Sequence, residues 1–91
     1  MTVRDAPERS RYEIVQDGEV VGIADYHISD DIVLMPHVEV RADLRGGSIG
    51  SELVKGALDD IRTRGLAVRP LCPFVVSYVR RHPEYADLVA A

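Results

Sequence analysis

The stretch His37-Val38-Glu39-Val40-Arg41-Ala42-Asp43-Leu44-Arg45-Gly46-Gly47-Ser48-Ile49-Gly50, with the run that follows it to Arg64, decides how this chain folds. Val38 and Val40 alternate with Glu39 as in a strand. From Ile49 onward the apolar residues Leu53, Val54, Ala57, Leu58 and Ile61 recur at helical spacing. The stretch therefore reads as strand, glycine turn, helix. Such a turn leaves the first backbone N–H groups of the helix and the positive end of its dipole facing one spot, where an anion such as a pyrophosphate can sit. The physics specifies a phosphate, not which one.

Upstream, the pattern works outward in strands. Tyr12 and Ile14 open a first strand, Gln16-Asp17-Gly18-Glu19 makes a tight hairpin, and Val20 to Ile28 is a second strand leaving through Ser29-Asp30-Asp31. Ile32 to Val40 is a third, in which Pro36 predicts a bulge or an interruption of the ladder. A bulge there splays the strand and leaves backbone groups of Val38 and Val40 without their usual partners. Residues 1–11 are charged, carry Pro7 and lack periodicity, so a flexible lead-in is expected, with the folded unit spanning 12–91. Downstream, Gly65 stops the helix, and Leu66 to Val68 form a further strand, parallel to the third through the helical crossover. Cys72 falls at that strand's exit, a second helix is expected over Pro73 to Arg81, and Pro83 starts a short last one holding Tyr85, Leu88 and Val89. The expected architecture is α/β (α+β): a mostly antiparallel sheet with one parallel strand-helix-strand crossover and two main helices.

Ninety-one residues, 46% hydrophobic and 29% charged, suit one globular unit. So short a chain hides only about 60–65% of its unfolded surface, and a partner subunit would help; a monomer or weak homodimer is expected. A net charge of −4 disfavours a life on nucleic acid. The arginines at 4, 9 and 11, at 62, 64 and 69, and at 80 and 81 read first as a mixed solvated surface. The sharper reading gives Arg41, Arg45 or the Arg80-Arg81 pair a part in attracting a polyanion. One cysteine excludes an internal disulfide, no apolar run reaches the ~20 residues of a membrane span, and Met1 to Ser10 lacks a signal peptide's apolar core, so a cytoplasmic setting is expected. His27, His37 and His82 show no metal-site spacing, and no metal is expected.

Arg45-Gly46-Gly47-Ser48-Ile49-Gly50 resembles the acyl-CoA signature of the Gcn5-related N-acetyltransferases, in which Gln or Arg is followed by x-x-Gly-x-Gly or Ala. With His37-Val38-Glu39-Val40 before it and Pro70-Leu71-Cys72-Pro73-Phe74, Tyr78 and His82-Pro83-Glu84-Tyr85 after it, the chain from Tyr12 to Val89 is similar to the small, single-domain branch often called the YjdJ type. Ser48 stands where the signature has its first Gly; a serine can cap a helix and offer a hydroxyl to a phosphate. The resemblance implies a GNAT fold that binds acetyl-CoA, or CoA, as co-substrate, the pyrophosphate on the amides of Arg45, Gly46, Gly47, Ser48, Ile49 and Gly50, the acyl and pantetheine arm along Val38 and Val40. It also implies transfer of the acetyl group to an amine that the sequence does not identify, at an acceptor site left open where full-size relatives have long N-terminal helices.

Acetyl transfer needs a deprotonated amine, a polarised thioester carbonyl and a proton for the departing thiolate. Glu39 or His37 is the candidate base, against the plain reading of a solvent-facing carboxylate and an exposed histidine. Cys72 is a small buried hydrophobe or, just before a proline-started helix, a reactive nucleophile. Direct attack by the amine is preferred to an acetyl-Cys72 step. The resemblance implies that Tyr78, where related enzymes often hold a tyrosine, is the donor of that last proton; the plain reading is a core tyrosine. The rival function is a CoA-binding regulatory or protein-interaction module with little turnover.

Overall fold

In the computed structural model, which describes residues 1–90, five strands form one sheet in the order of the sequence. They are β1 (Thr2–Ala6), β2 (Arg11–Gln16), β3 (Glu19–Ser29), β4 (Ile32–Val40) and β5 (Ala67–Pro70). Neighbours are antiparallel except β4 and β5, which run parallel. Helix α1 (Ile49–Thr63) crosses between those two, and α2 (Pro73–Arg81) follows β5. Single 3-10 turns lie at Pro7–Arg9, Ala42–Leu44 and Pro83–Leu88. This is the expected α/β architecture with one additional strand. Ala91, the last residue of the expected 12–91 unit, lies outside the described residues.

That additional strand corrects the expectation for residues 1–11. β1 pairs with β2 from Thr2 opposite Val15 to Ala6 opposite Arg11. Three local contacts hold it. Val3 packs so closely on α1 that a Cβ on Gly56 would lie 2.6 Å from its own. Asp5 accepts hydrogen bonds from Tyr26 (2.6 Å) and from Arg64. Arg4 donates to Glu13 at 3.0 Å. Five residues with two charges and a following proline carry too little periodicity to announce a strand; the partners that fix it are distant in sequence.

The hairpin turns follow local chemistry. Asp17 and Gly18 both take positive φ (52° and 78°), as do Asp30 and Asp31 (51° and 65°), the two-residue mirror-image turns whose twist matches the strands they join. Gly65, at φ 71°, ends α1 as expected. β5 runs two residues beyond the expected Val68, because β4 continues to pair with it until Met35 meets Pro70. After Pro70 the N–H groups of Leu71 and Cys72 both donate to the Met35 carbonyl (3.1 Å each), and the chain leaves the sheet. Val89, expected in the last helix, instead bridges Val68 beyond the 3-10 turn.

Pro36 has the effect expected of it. Asp25 opposes His37 while His27 opposes Leu34, so Met35 and Pro36 together face the single residue Tyr26. One extra residue reverses the alternation of the strand. Val33 and Met35 before the bulge, and Val38 and Val40 after it, therefore turn to the helix side, where the first two are buried and the last two pack against the core. His37 and Glu39 turn to the opposite, open face. The core joins Tyr12, Ile14, Ala24 and Tyr26 of the sheet to Leu53, Val54, Ala57, Leu58 and Ile61 of α1 and to Val75 and Tyr78 of α2. Among the described residues no helix is long and apolar enough to cross a membrane.

Candidate active site

β4 and β5 stay paired only as far as Met35 and Pro70. Beyond them β4 continues alone to Val40 while the chain after Cys72 departs as α2. A cleft of about 480 Å³ opens in the gap, walled by His37 to Val40 on one side, by Leu44 to Gly47, Gly50 and Ser51 on another, and by Phe74 and Arg81 of α2 on the third.

Strand geometry aims the β4 wall. The Arg41 N–H donates to the Val21 carbonyl at 2.8 Å, so residues of that parity, Glu39 and His37, direct their backbone groups to β3. Val38 and Val40 direct theirs into the cleft. One of these groups is already engaged: the Arg45 side chain donates through Nε to the Val40 carbonyl at 3.0 Å, tying the glycine turn to the strand.

The turn supplies donors. The N–H groups from Gly46 to Ser51 find no backbone acceptor among the described residues, and the first intrahelical bond of α1 is from Glu52 N–H to the Ser48 carbonyl, at 2.9 Å. Gly46 holds φ 88°, a left-handed conformation that costs glycine nothing. Ser48 is already helical (φ −89°, ψ −3°) and makes no side-chain cap, so its hydroxyl does not play the capping part open to it in the sequence. At Gly50 a Cβ would come within 2.8 Å of the Phe74 ring tip. The absence of a side chain there lets that ring, 38% exposed, lie against the first turn of α1. Donor N–H groups, the helix dipole, Arg45 and Arg81 thus converge on one apolar-walled space, an arrangement that stabilises a bound polyanion.

At the open-face rim, His37 Nε2 stands 3.4 Å from Glu39 Oε1, and both side chains are exposed. Among the described residues Glu39 forms no ion pair with an arginine or lysine.

The structure therefore brings together His37, Val38, Glu39, Val40, Arg45, Gly46, Gly47 and Gly50 around the cleft. Ser48 belongs to the same turn, and Ile49 is buried in the core with only its backbone toward the turn. Cys72 and Tyr78 are not part of the lining. Cys72 is buried, with its N–H on Met35 and its carbonyl on Val76. Tyr78 is buried too and stacks on His82, ring centroids 4.0 Å apart; burial raises its pKa, so the phenol keeps its proton. In their place α2 offers Phe74 and Arg81. The two are seven residues apart and so share one helix side, a spacing visible in the sequence, whereas Val75 and Tyr78 form the buried side. Arg41, a candidate for attracting the anion, is occupied by Glu19 (2.9 Å) and Asp43 (2.8 Å). Among the described residues no group of three or more His, Cys, Asp and Glu side chains could hold a metal ion.

Comparison with known proteins agrees with this geometry. No curated protein matches the sequence. Among solved structures, a GCN5-like protein from Staphylococcus aureus is similar over 99% of this chain and 88% of its own, with 17% identity and a TM-score of 0.73. The ribosomal-protein-S18-alanine N-acetyltransferase of Escherichia coli matches 66% of this chain (20% identity, TM-score 0.61). The ribosomal-protein-alanine N-acetyltransferase of Brucella melitensis biovar Abortus matches 89% (22% identity, TM-score 0.61). This chain spans 39% and 61% of the length of those two enzymes. These likenesses show a shared fold. Residues 11–88 match the family described as GCN5-related N-acetyl-transferase, and the chain belongs to that family.

Proposed function

We propose that this protein transfers an acetyl group from acetyl-CoA to an amine, by direct attack of the amine on the thioester. The observation that carries the reading is the cleft itself: six N–H groups at the start of α1, Gly46 to Ser51, open on the same space as the outward backbone of Val38 and Val40.

These residues fit acetyl-CoA. The turn from Arg45 to Gly50, with Ser48 and Ile49 acting through their backbone, would hold the pyrophosphate, aided by Arg81. Val38 and Val40 would pair with the amides of the pantetheine arm as one strand pairs with another. Phe74 supplies the apolar wall. When bound, the co-substrate supplies an acyl group activated as a thioester. Glu39 takes a proton from the incoming ammonium, and His37, at 3.4 Å, orients that carboxylate. Cys72 and Tyr78, off the cleft, receive no step. That neither lines it favours the one competing reading, a CoA-binding module without turnover, which amine-dependent thiol release separates from the enzyme.

Calorimetric titration of acetyl-CoA into the wild type and into Gly50→Leu tests the site. The wild type binds in the micromolar range, on the order of −8 kcal/mol. The variant, folded by circular dichroism, loses that binding because its side chain drives the Phe74 ring into the cleft. A folded wild type that binds neither acetyl-CoA nor CoA at millimolar concentration ends this reading.

A further inference from the structure

Glu39 is a wall of two depressions. Besides the cleft at α1, it borders a shallow groove of about 260 Å³ on the open face of the sheet, over Val20 and Ile23 and the backbone between them, with Arg11 and Arg41 at its margins. Ile23 lies directly opposite Glu39 across the β3–β4 pair, and Val20 is 38% exposed. The groove therefore begins at the carboxylate that the proposed reaction uses as its base and leads away across apolar side chains.

The charges of this groove are unevenly matched. Arg11 is held by the buried carboxylate of Glu13, at 2.7 Å. Arg41 is clamped between Glu19 and Asp43. Glu39, by contrast, forms no ion pair with an arginine or lysine among the described residues. A ligand carboxylate would have to displace one of the chain's own carboxylates to gain a guanidinium. An ammonium meets a carboxylate that has only the His37 ring beside it, at 3.4 Å. Beyond that carboxylate the side chains that face the groove between the two arginines are those of Val20 and Ile23, which offer contact to carbon.

Resting on the acetyl-transfer reading above, we infer that the acceptor is a small primary amine on a neutral, apolar body, without a carboxylate beside the nitrogen. Its ammonium docks on Glu39 and its body lies over Ile23 and Val20. Glu39 takes one proton from the ammonium, and the freed nitrogen forms the C–N bond at the thioester carbonyl as the C–S bond breaks. Of the two protons the nitrogen has lost once it is an amide, one leaves on the CoA thiol and the other passes to solvent through Glu39.

The experiment is steady-state thiol release from acetyl-CoA with matched acceptors: pentylamine against norleucine, and phenethylamine against phenylalanine. Each pair differs by the carboxylate alone. The amine of each pair is expected to exceed its amino acid in kcat/KM by about tenfold or more. Val20→Asp and Ile23→Asp, on the groove and outside the cleft, are each expected to lower kcat/KM for the amines by about tenfold, with acetyl-CoA affinity by calorimetry kept within about twofold. Val20 is the more exposed of the two, so its variant tests the groove even where Ile23→Asp does not fold. Amino acids used as well as the amines, unchanged kinetics in Val20→Asp, or acetyl-CoA binding with no turnover of any apolar amine would each overturn the inference. A wild type that fails to bind acetyl-CoA strikes the cofactor reading first and this one with it.

Discussion

At the β1–β2 margin, the guanidiniums of Arg4, Arg9 and Arg11 close over the single carboxylate of Glu13, which is 0% exposed, and Val3 fills the notch left by Gly56. At the other margin, beyond the β4–β5 pair, six N–H groups find no backbone acceptor among the described residues, and there Glu39 meets nothing stronger than a histidine. The first region spends its polar groups on itself. The second keeps them unspent, and a ligand can use only what the fold has left unmatched. Stability and the proposed function are thus separated in space, at opposite ends of one small sheet.

The sharpest way to break this contrast is at the closed margin. Gly56→Leu places a side chain where Val3 already stands and forces β1 off the sheet. It is expected to cost about 3 kcal/mol, at the upper end for overpacking, despite leucine's better helix propensity. Urea unfolding measures it, and an unchanged midpoint would show that β1 does not contribute to the fold.

Glu13→Gln is next. The carboxylate is shielded by the guanidiniums laid over it rather than by depth, so the loss is set at about 2 kcal/mol, below that of a deeply buried pair, or roughly 10 °C in Tm. Burial alone would raise the Glu13 pKa, but hydrogen bonds from Arg11 and Arg4 and the charges of Arg9 and Arg11 hold it below the ordinary value. A carboxylate with a depressed folded pKa stabilises above its unfolded pKa, about 4.3, and that contribution fades as pH falls through the folded value. The gap between wild type and variant is therefore widest near neutrality and narrows in acid. A gap that is constant with pH would show that the charge of Glu13 is not what holds this margin.

The smallest effect on folding belongs to the open margin. Glu39→Gln is expected to change stability by less than about 0.5 kcal/mol, as surface substitutions do. It lowers amine-dependent turnover by about 100-fold or more while acetyl-CoA binding holds. A variant that unfolds more easily, or one that turns over normally, would erase the difference between the two ends.

The sequence revealed what depends on neighbours along the chain. Val38, Val40 and the turn from Arg45 to Gly50 lie within thirteen residues, and strand, turn and helix carry them to one place. The bulge at Pro36 was equally legible, because proline withholds a ladder hydrogen bond wherever it sits. β1 was not, since its anchors at Gly56, Arg64 and Glu13 become neighbours only when the sheet and α1 assemble. The same reason explains α2. That Phe74 and Arg81 face the cleft while Cys72 and Tyr78 stay off it follows from how α2 rolls against the core, and the buried Val75 and Tyr78 set that roll. The arginines at 4, 9 and 11, clustered in sequence and read first as solvated surface, converge on Glu13 because Arg9 and Arg11 neighbour it along the chain and the β1–β2 pairing sets Arg4 opposite it.

The bulge at Met35 and Pro36 gives β4 something like a reading frame. Every residue downstream owes its side of the sheet to the count of residues upstream, not to its own identity. The same residues run as a regular strand, with no bulge, would turn Val38 and Val40 toward water and His37 and Glu39 toward α1. The cleft would present its strand edge out of phase although every side chain named in it was still encoded. For this protein, length within one strand is as much a determinant of the site as the residues that line it.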